Sequence, residues 1–254
     1  PLIKTNRPTK QIFDDEDNTP LEIEDSKIFN EYFQRFIIKR SQLSENNSLK
    51  ISSRMGTSTV SKTFDYNSDF LIQKNTAENL SSTLPLVFAG YGIIDEENKY
   101  NDYLDSDGKL IDVNNKAVII IDGFPRETDS VSTFSKSKNL MYRNLRKKVE
   151  LAESLGALAV VVIQSPLKNE APLTIKYESM INAFNRKIDY IPEITASTIP
   201  VFYAGKNFVD EVFRNTKVKL KQYLTEVDKE LNPVAIEFLE KEISYSINFN
   251  SELL

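Results

Sequence analysis

The chain has no histidine, no cysteine and no tryptophan in 254 residues, and only seven glycines. Without histidine and cysteine, a Ser/His/Asp triad, a Cys/His dyad and a histidine-containing zinc site cannot be assembled from this chain alone, however it folds. Chemistry inside the chain is left with carboxylates, or with no catalytic site. The lack of cysteine also removes disulfides as a guide to redox compartment. Long apolar runs are missing too: the longest, 157–163, is far too short to span a bilayer. Nor is there a basic excess. The net charge is −5, from 32 Lys and Arg against 37 Asp and Glu, which argues against a nucleic-acid partner. Lys4, Arg7 and Lys10 are not followed by an apolar stretch, so no signal peptide is expected at the start of the sequence.

What is present, 40% hydrophobic and 27% charged residues, suits a globular chain able to bury a core. Residues 1–29 carry Pro1, Pro8, Pro20 and the acidic run 14–17, and read as a poorly ordered arm. That run is expected to be solvated, because adjacent carboxylates on a flexible chain form no oxygen cage. The folded part is expected over 30–254, with its core at about 84–227. Phe33, Phe36, Ile37 and Ile38 suit a short helix or a strand, and periodicity alone does not decide. Asn46, Asn47 and Ser48 mark a turn before 49–52, and a Ser/Thr-rich polar stretch runs on to about Thr83.

The centre is more informative. Residues 86–93 form a strand-like apolar run interrupted by Gly90 and Gly92, where a missing side chain signals a bulge or close backbone approach. Asp107-Gly108 signals a tight turn, and 117–121 is an apolar strand of the kind covered on both faces. A helix is predicted over 139–155, with Met141, Leu145, Val149 and Ala152 on one face and Gly156 as its left-handed cap. A second apolar strand, 157–163, completes a βαβ crossover. Residues 199–203 read as a core strand, 207–213 as a short helix, and alternation of Ile243, Tyr245, Ile247 and Phe249 as a half-exposed last strand. The fold class is a sheet-rich mixed α/β.

Candidate chemistry is sparse. Asp105-Ser106-Asp107-Gly108 matches part of a calcium loop, but Tyr103 and Asn114 fall where its first and last carboxylates belong, leaving a plain turn. Gly90-Tyr91-Gly92 resembles a phosphate-binding loop only superficially, since no third glycine or helix start follows. Asp122 lies just past the carboxyl end of a buried strand, where open α/β sheets place functional residues; a turn aspartate is the plainer reading. Arg143, Arg146, Lys147 and Lys148 read as the solvated face of the predicted helix. Tyr91, Tyr100 and Tyr103, beside turn glycines and Asp102, are candidates for a partly exposed binding rim shared with the loop after Asp122.

The run 86–93 (Leu-Val-Phe-Ala-Gly-Tyr-Gly-Ile), then Tyr100-Asn101-Asp102-Tyr103, then 116–121 through Pro125, closely resembles the protease-associated (PA) domain of M28-family zinc aminopeptidases. The resemblance continues through Leu155-Gly156-Ala157, Val160 to Ile163 and Ile199-Pro200-Val201, and Tyr32 to Phe36 looks like a strand upstream of that domain. Coverage is roughly 30–250, strongest between 84 and 203. Asn115-Lys116 stands where the family commonly has Gly-Lys, and 105–114 resembles a short insertion. The resemblance implies a swivelling β/β/α fold that acts as a lid or exosite, without catalysis of its own. It implies a secreted or periplasmic parent protein whose separate catalytic domain, following this segment, holds zinc. The partners would be that catalytic domain and peptide or protein substrates. No zinc ligand carries over to this chain. The rival reading is a self-contained α/β ligand-binding or regulatory domain using the strand ends at 122–125 and 164–166.

Overall fold

The computed structural model describes residues 39–73, 79–127, 129, 132, 134, 142–168, 171–184, 188–190 and 199–253. The expected arm and the Tyr32 to Phe36 strand lie outside them. In chain order the strands are β1 (Lys39–Leu43), β2 (Ser48–Met55), β3 (Ser58–Phe64), β4 (Phe70–Gln73), β5 (Leu80–Phe88), β6 (Ile94–Asp95), β7 (Tyr100–Asn101), β8 (Ala117–Ile121), β9 (Ala159–Ile163), β10 (Ile188–Tyr190), β11 (Val201–Ala204), β12 (Ile236–Ile247) and β13 (Phe249–Leu253). Eight of them form one mixed sheet in the order β3-β2-β12-β5-β8-β9-β11-β4.

The middle of this sheet, β5-β8-β9-β11, is parallel, and β12, β2, β3 and β4 extend it antiparallel. Strands β8 and β9 pair in register from Ala117 with Ala159 to Ile121 with Ile163. All ten of their residues are buried, as two apolar runs covered on both faces require. Alternate residues serve opposite cores. Ile119, Val161 and Phe202 join one cluster with Phe208, Val212 and Leu224, while Val118, Val160 and Tyr203 join another with Val149, Ala152 and Leu173. Burying one such aliphatic side chain stabilises by roughly 1.5–3 kcal/mol.

The crossover helix is Leu145–Ser154, shorter than predicted. Residues 139–141 lie outside the described chain. Asn144 is extended, and its side chain accepts from the Arg146 amide, so it caps the helix there and excludes Tyr142 and Arg143. Gly156 ends it at φ +96°, and Asn115 adopts φ +57°, the left-handed turn in which asparagine best replaces glycine. The helix Lys206–Phe213 begins one residue before its prediction.

Three findings concern other elements. The apolar run at 86–93 is strand only as far as Phe88, because the chain then turns through Gly90 and Tyr91. Ser48, expected in a turn with Asn46 and Asn47, already starts β2, and the polar stretch from there to Thr83 holds the rest of β2, β3, β4 and the start of β5. A further helix, Leu220–Glu230, packs Leu220, Leu224 and Val227 on the first core.

Candidate functional site

Because β5, β8, β9 and β11 are parallel, their carboxyl ends meet at one edge of the sheet. That edge is where open α/β sheets bind ligands. The chain leaves β5 through Gly90-Tyr91-Gly92, β8 through Asp122-Gly123, β9 through Gln164-Ser165 and β11 through Gly205-Lys206.

Behind the first of these turns lies Asp102, fully buried. Its Oδ1 accepts from the Tyr100 hydroxyl at 2.8 Å and its Oδ2 from the Ile93 amide at 3.0 Å, while its own amide donates to the Ile93 carbonyl at 2.9 Å. Gly90 is pressed against the carboxylate: a Cβ there would lie 2.0 Å from Oδ1, and one on Gly92 would lie 2.8 Å from Ile120 Cγ2. Both glycines thus permit the close approach expected of them. Burial pushes the Asp102 carboxyl up to about 7, against the lowering effect of these hydrogen bonds and of Lys148.

Lys148 corrects the expectation of a wholly solvated basic face. It is 4% exposed, and its ammonium donates to the Gly123 carbonyl while lying 5.9 Å from the centre of the Tyr91 ring. Burial lowers its pKa to about 8, opposed by the charges of Asp102, Asp122 and Glu127. Arg146 and Lys147 do face solvent, where both pair with Glu150. Arg143 lies 5.1 Å over the Phe124 ring.

The predicted rim is not exposed. Tyr91, Tyr100 and Tyr103 are 3%, 1% and 0% exposed. Tyr91 donates to Asp228 at 3.3 Å, and Tyr100 stacks edge-on against Phe134 with ring centroids 5.2 Å apart. Tyr103 packs in the other core, its hydroxyl without a hydrogen-bond partner among the described residues. The tyrosine type fits a wet rim and a core equally well, and here sheet packing takes all three. Asp122 does reach the surface, paired with Lys176 at 2.8 Å and accepting from the Tyr177 hydroxyl at 3.3 Å. Burial works to raise its carboxyl, but the Lys176 hydrogen bond and the charges of Lys176, Lys148 and Lys168 hold it below the usual range. Asp105 is spent on its own turn, its Oδ1 accepting from the Asp107 and Lys109 amides at 2.9 Å each.

A cleft of about 320 Å³ opens beside β9 and β11, lined by Asp69, Gln164, Leu173, Gly205, Lys206 and Asn207 among others. The Gln164 amide donates to the Ala171 carbonyl at 2.8 Å, and Asn207 donates to Asp69 at 2.7 Å. Of these, Gln164 stood out in the sequence as a strand end; Asp69 and Asn207 did not, being ordinary loop residues there. Among the described residues no group of three His, Cys, Asp or Glu is placed to hold a metal ion. No helix among them is long and apolar enough to cross a membrane. Asp102 is held by hydrogen bonds behind the first turn, while the cleft brings the polar side chains of Asp69, Gln164, Lys206 and Asn207 to the strand ends, groups of the kind that orient a ligand.

No protein-family profile matches the sequence, and no curated protein matches it. Among solved structures, the chain aligns with one described as BSAP, a zinc aminopeptidase from Bacillus subtilis, at TM-score 0.34 and 13% identity over 86% of this chain and 35% of that one. A second structure of BSAP aligns at TM-score 0.32 and 14% identity, over 86% and 36%. The chain therefore spans about a third of the length of the structures it matches.

Proposed function

We propose that this chain is a non-catalytic domain of the protease-associated type, serving a zinc aminopeptidase-like protein as a lid or exosite. Its partners in this reading are the catalytic domain of that protein and peptide or protein substrates. Zinc belongs to the catalytic domain, and the compartment is extracellular or periplasmic. The observation that supports the reading best is that the separate pieces of the resemblance are knit together by one residue. Gly90, Ile93 and Tyr100 all close on Asp102, directly beside the strand that begins at Ala117. The quoted motif is thus a physical unit, a loop locked over a parallel sheet.

The test has two arms. The purified chain, with and without zinc, should release no N-terminal residue from leucine p-nitroanilide. In the parent protein, Asp122→Ala with Lys176→Ala at the exposed strand end should alter KM for long peptides more than for short ones. Zinc-stimulated turnover by the chain alone, or unchanged KM for both substrate lengths, would overturn the proposal.

The cleft beside Gln164 and Gly205 favours a second reading, a self-contained α/β ligand-binding or regulatory domain. A reading frame that encodes His and carboxylate clusters beyond Leu254 speaks for the first reading, and a stop codon there for the second.

A further inference from the structure

Strand β3 closes one side of the eight-stranded sheet. Among the described residues nothing pairs with its outer edge. It joins β2 through the two-residue turn Gly56-Thr57, with Gly56 at φ +60°, as a II′ hairpin turn requires at its first central position. In such a hairpin the closing pair, Met55 with Ser58, exchanges both hydrogen bonds, and bonded pairs then alternate along the ladder. The bonded partners of β2 are therefore Ser58, Val60, Lys62 and Phe64. Thr59, Ser61 and Thr63 turn their amides and carbonyls outward, about 6.8 Å apart.

Natural edge strands are usually blunted by proline, a bulge, short length or clustered charge. Strand β3 has seven residues, no proline, an unbroken register and one charged residue, Lys62. Its residues 58–61 are all exposed, and Val60 and the neighbouring Met55 are 53% and 54% exposed. The hairpin 48–64 also departs from the charge of the chain. It carries Lys50, Arg54 and Lys62 with no acidic residue, in a chain of net charge −5. Against these three cations stand Glu240 and Glu242 on β12, the strand beside β2, which line a surface hollow with Arg54 and Thr59.

We infer that β3 is a docking edge for an extended, acidic peptide segment, which adds as a further strand. Main-chain hydrogen bonds to Thr59, Ser61 and Thr63 hold it, while Lys50, Arg54 and Lys62 select its charge. The same positive charge disfavours a second copy of the chain on this edge. The inference rests on the reading that the domain contacts peptides, and names where and which.

The experiment titrates the chain into a fluorescein-labelled seven-residue peptide alternating Glu and Val, at low ionic strength, and reads anisotropy. Saturable binding is expected, weakened at least about tenfold by Ser61→Pro, whose lost N–H is not used by β2. A peptide with Lys in place of Glu should bind at least about tenfold more weakly. Should Ser61→Pro lower the melting temperature, the Glu-Val peptide N-methylated at alternate amides in either phase replaces it, and at least one phase should bind about tenfold more weakly. The inference is overturned by absent binding, by equal binding to wild type and Ser61→Pro when both fold, by both N-methylated peptides binding as tightly as the unmethylated one, or by equal binding of the Lys peptide. Self-association of the chain that Ser61→Pro abolishes, without peptide binding, would place a second copy there instead. Any of these failures leaves the parent-protein kinetics above untouched, so the two readings fail separately.

Discussion

Gly90 and Asp102 are in contact so close that no other residue fits at position 90. Its φ is +41°, and an added Cβ would lie 2.0 Å from the Asp102 carboxylate. Gly90→Ala should therefore cost about 3 kcal/mol or more, read as a lowered denaturation midpoint. Gly56→Ala is the control, because φ there is +60° but nothing lies within 4 Å of the added carbon. It should cost only about 1–2 kcal/mol. Equal losses would show that backbone conformation, and not the carboxylate, sets the requirement at Gly90.

The same carboxylate makes stability depend on pH near neutrality. With Asp102 raised to about 7, the folded chain keeps between roughly pH 4 and 7 a proton that the unfolded chain has released. Its contribution therefore falls as pH rises through that window. Lys148, lowered to about 8, acts in the opposite sense: above that pH the folded chain sheds a proton the unfolded chain retains, and stability recovers. Between 7 and 8 both are charged and the pair contributes least. Asp95 and Asp122 are held below the usual range, so they lose stability only on further acidification. The stability difference between wild type and Asp102→Asn should shift by about 2–3 kcal/mol in favour of wild type from pH 7.5 to pH 5. A difference constant with pH would refute this assignment.

Lys241 joins the sheet to a helix end. Its buried ammonium donates to the carbonyls of Glu211 at 2.7 Å and Arg214 at 2.9 Å, satisfying groups that the end of Lys206–Phe213 would leave unpaired. Lys241→Met keeps the stem but removes both bonds. It should lower stability by about 2–3 kcal/mol in urea melts, whereas Lys221→Met on an exposed helix face should change it by less than about 0.5 kcal/mol.

What could be read from the sequence divides along burial. Strands β8 and β9 were legible because they are covered on both faces, so hydrophobicity alone marks them. The hairpin β2–β3 was not, because an edge facing water is built from Ser, Thr and Lys, the same residues that make loops. The helix Leu220–Glu230 carried a usable signal in Leu220, Leu224 and Val227, obscured by the charged residues between them. Lys148 and the three tyrosines show a different limit. Whether an amphipathic side chain lies inside or outside depends on partners distant in sequence, such as the Gly123 carbonyl for Lys148 and Asp228 for Tyr91.

Two regions of one sheet should respond very unequally to the same substitution. Val161, on β9, is fully buried between Ile119 and Phe202 on the parallel neighbours. An aspartate there has no partner, and an unpaired buried carboxylate costs several kcal/mol against a total stability of about 5–15 kcal/mol. Val161→Asp should abolish the cooperative melt at neutral pH. Val60, on β3, is 53% exposed, so Val60→Asp should move the melting temperature by no more than a few degrees. A cooperative melt of Val161→Asp close to that of wild type would contradict the burial of β9 on both faces, and with it the crossover that positions the strand ends.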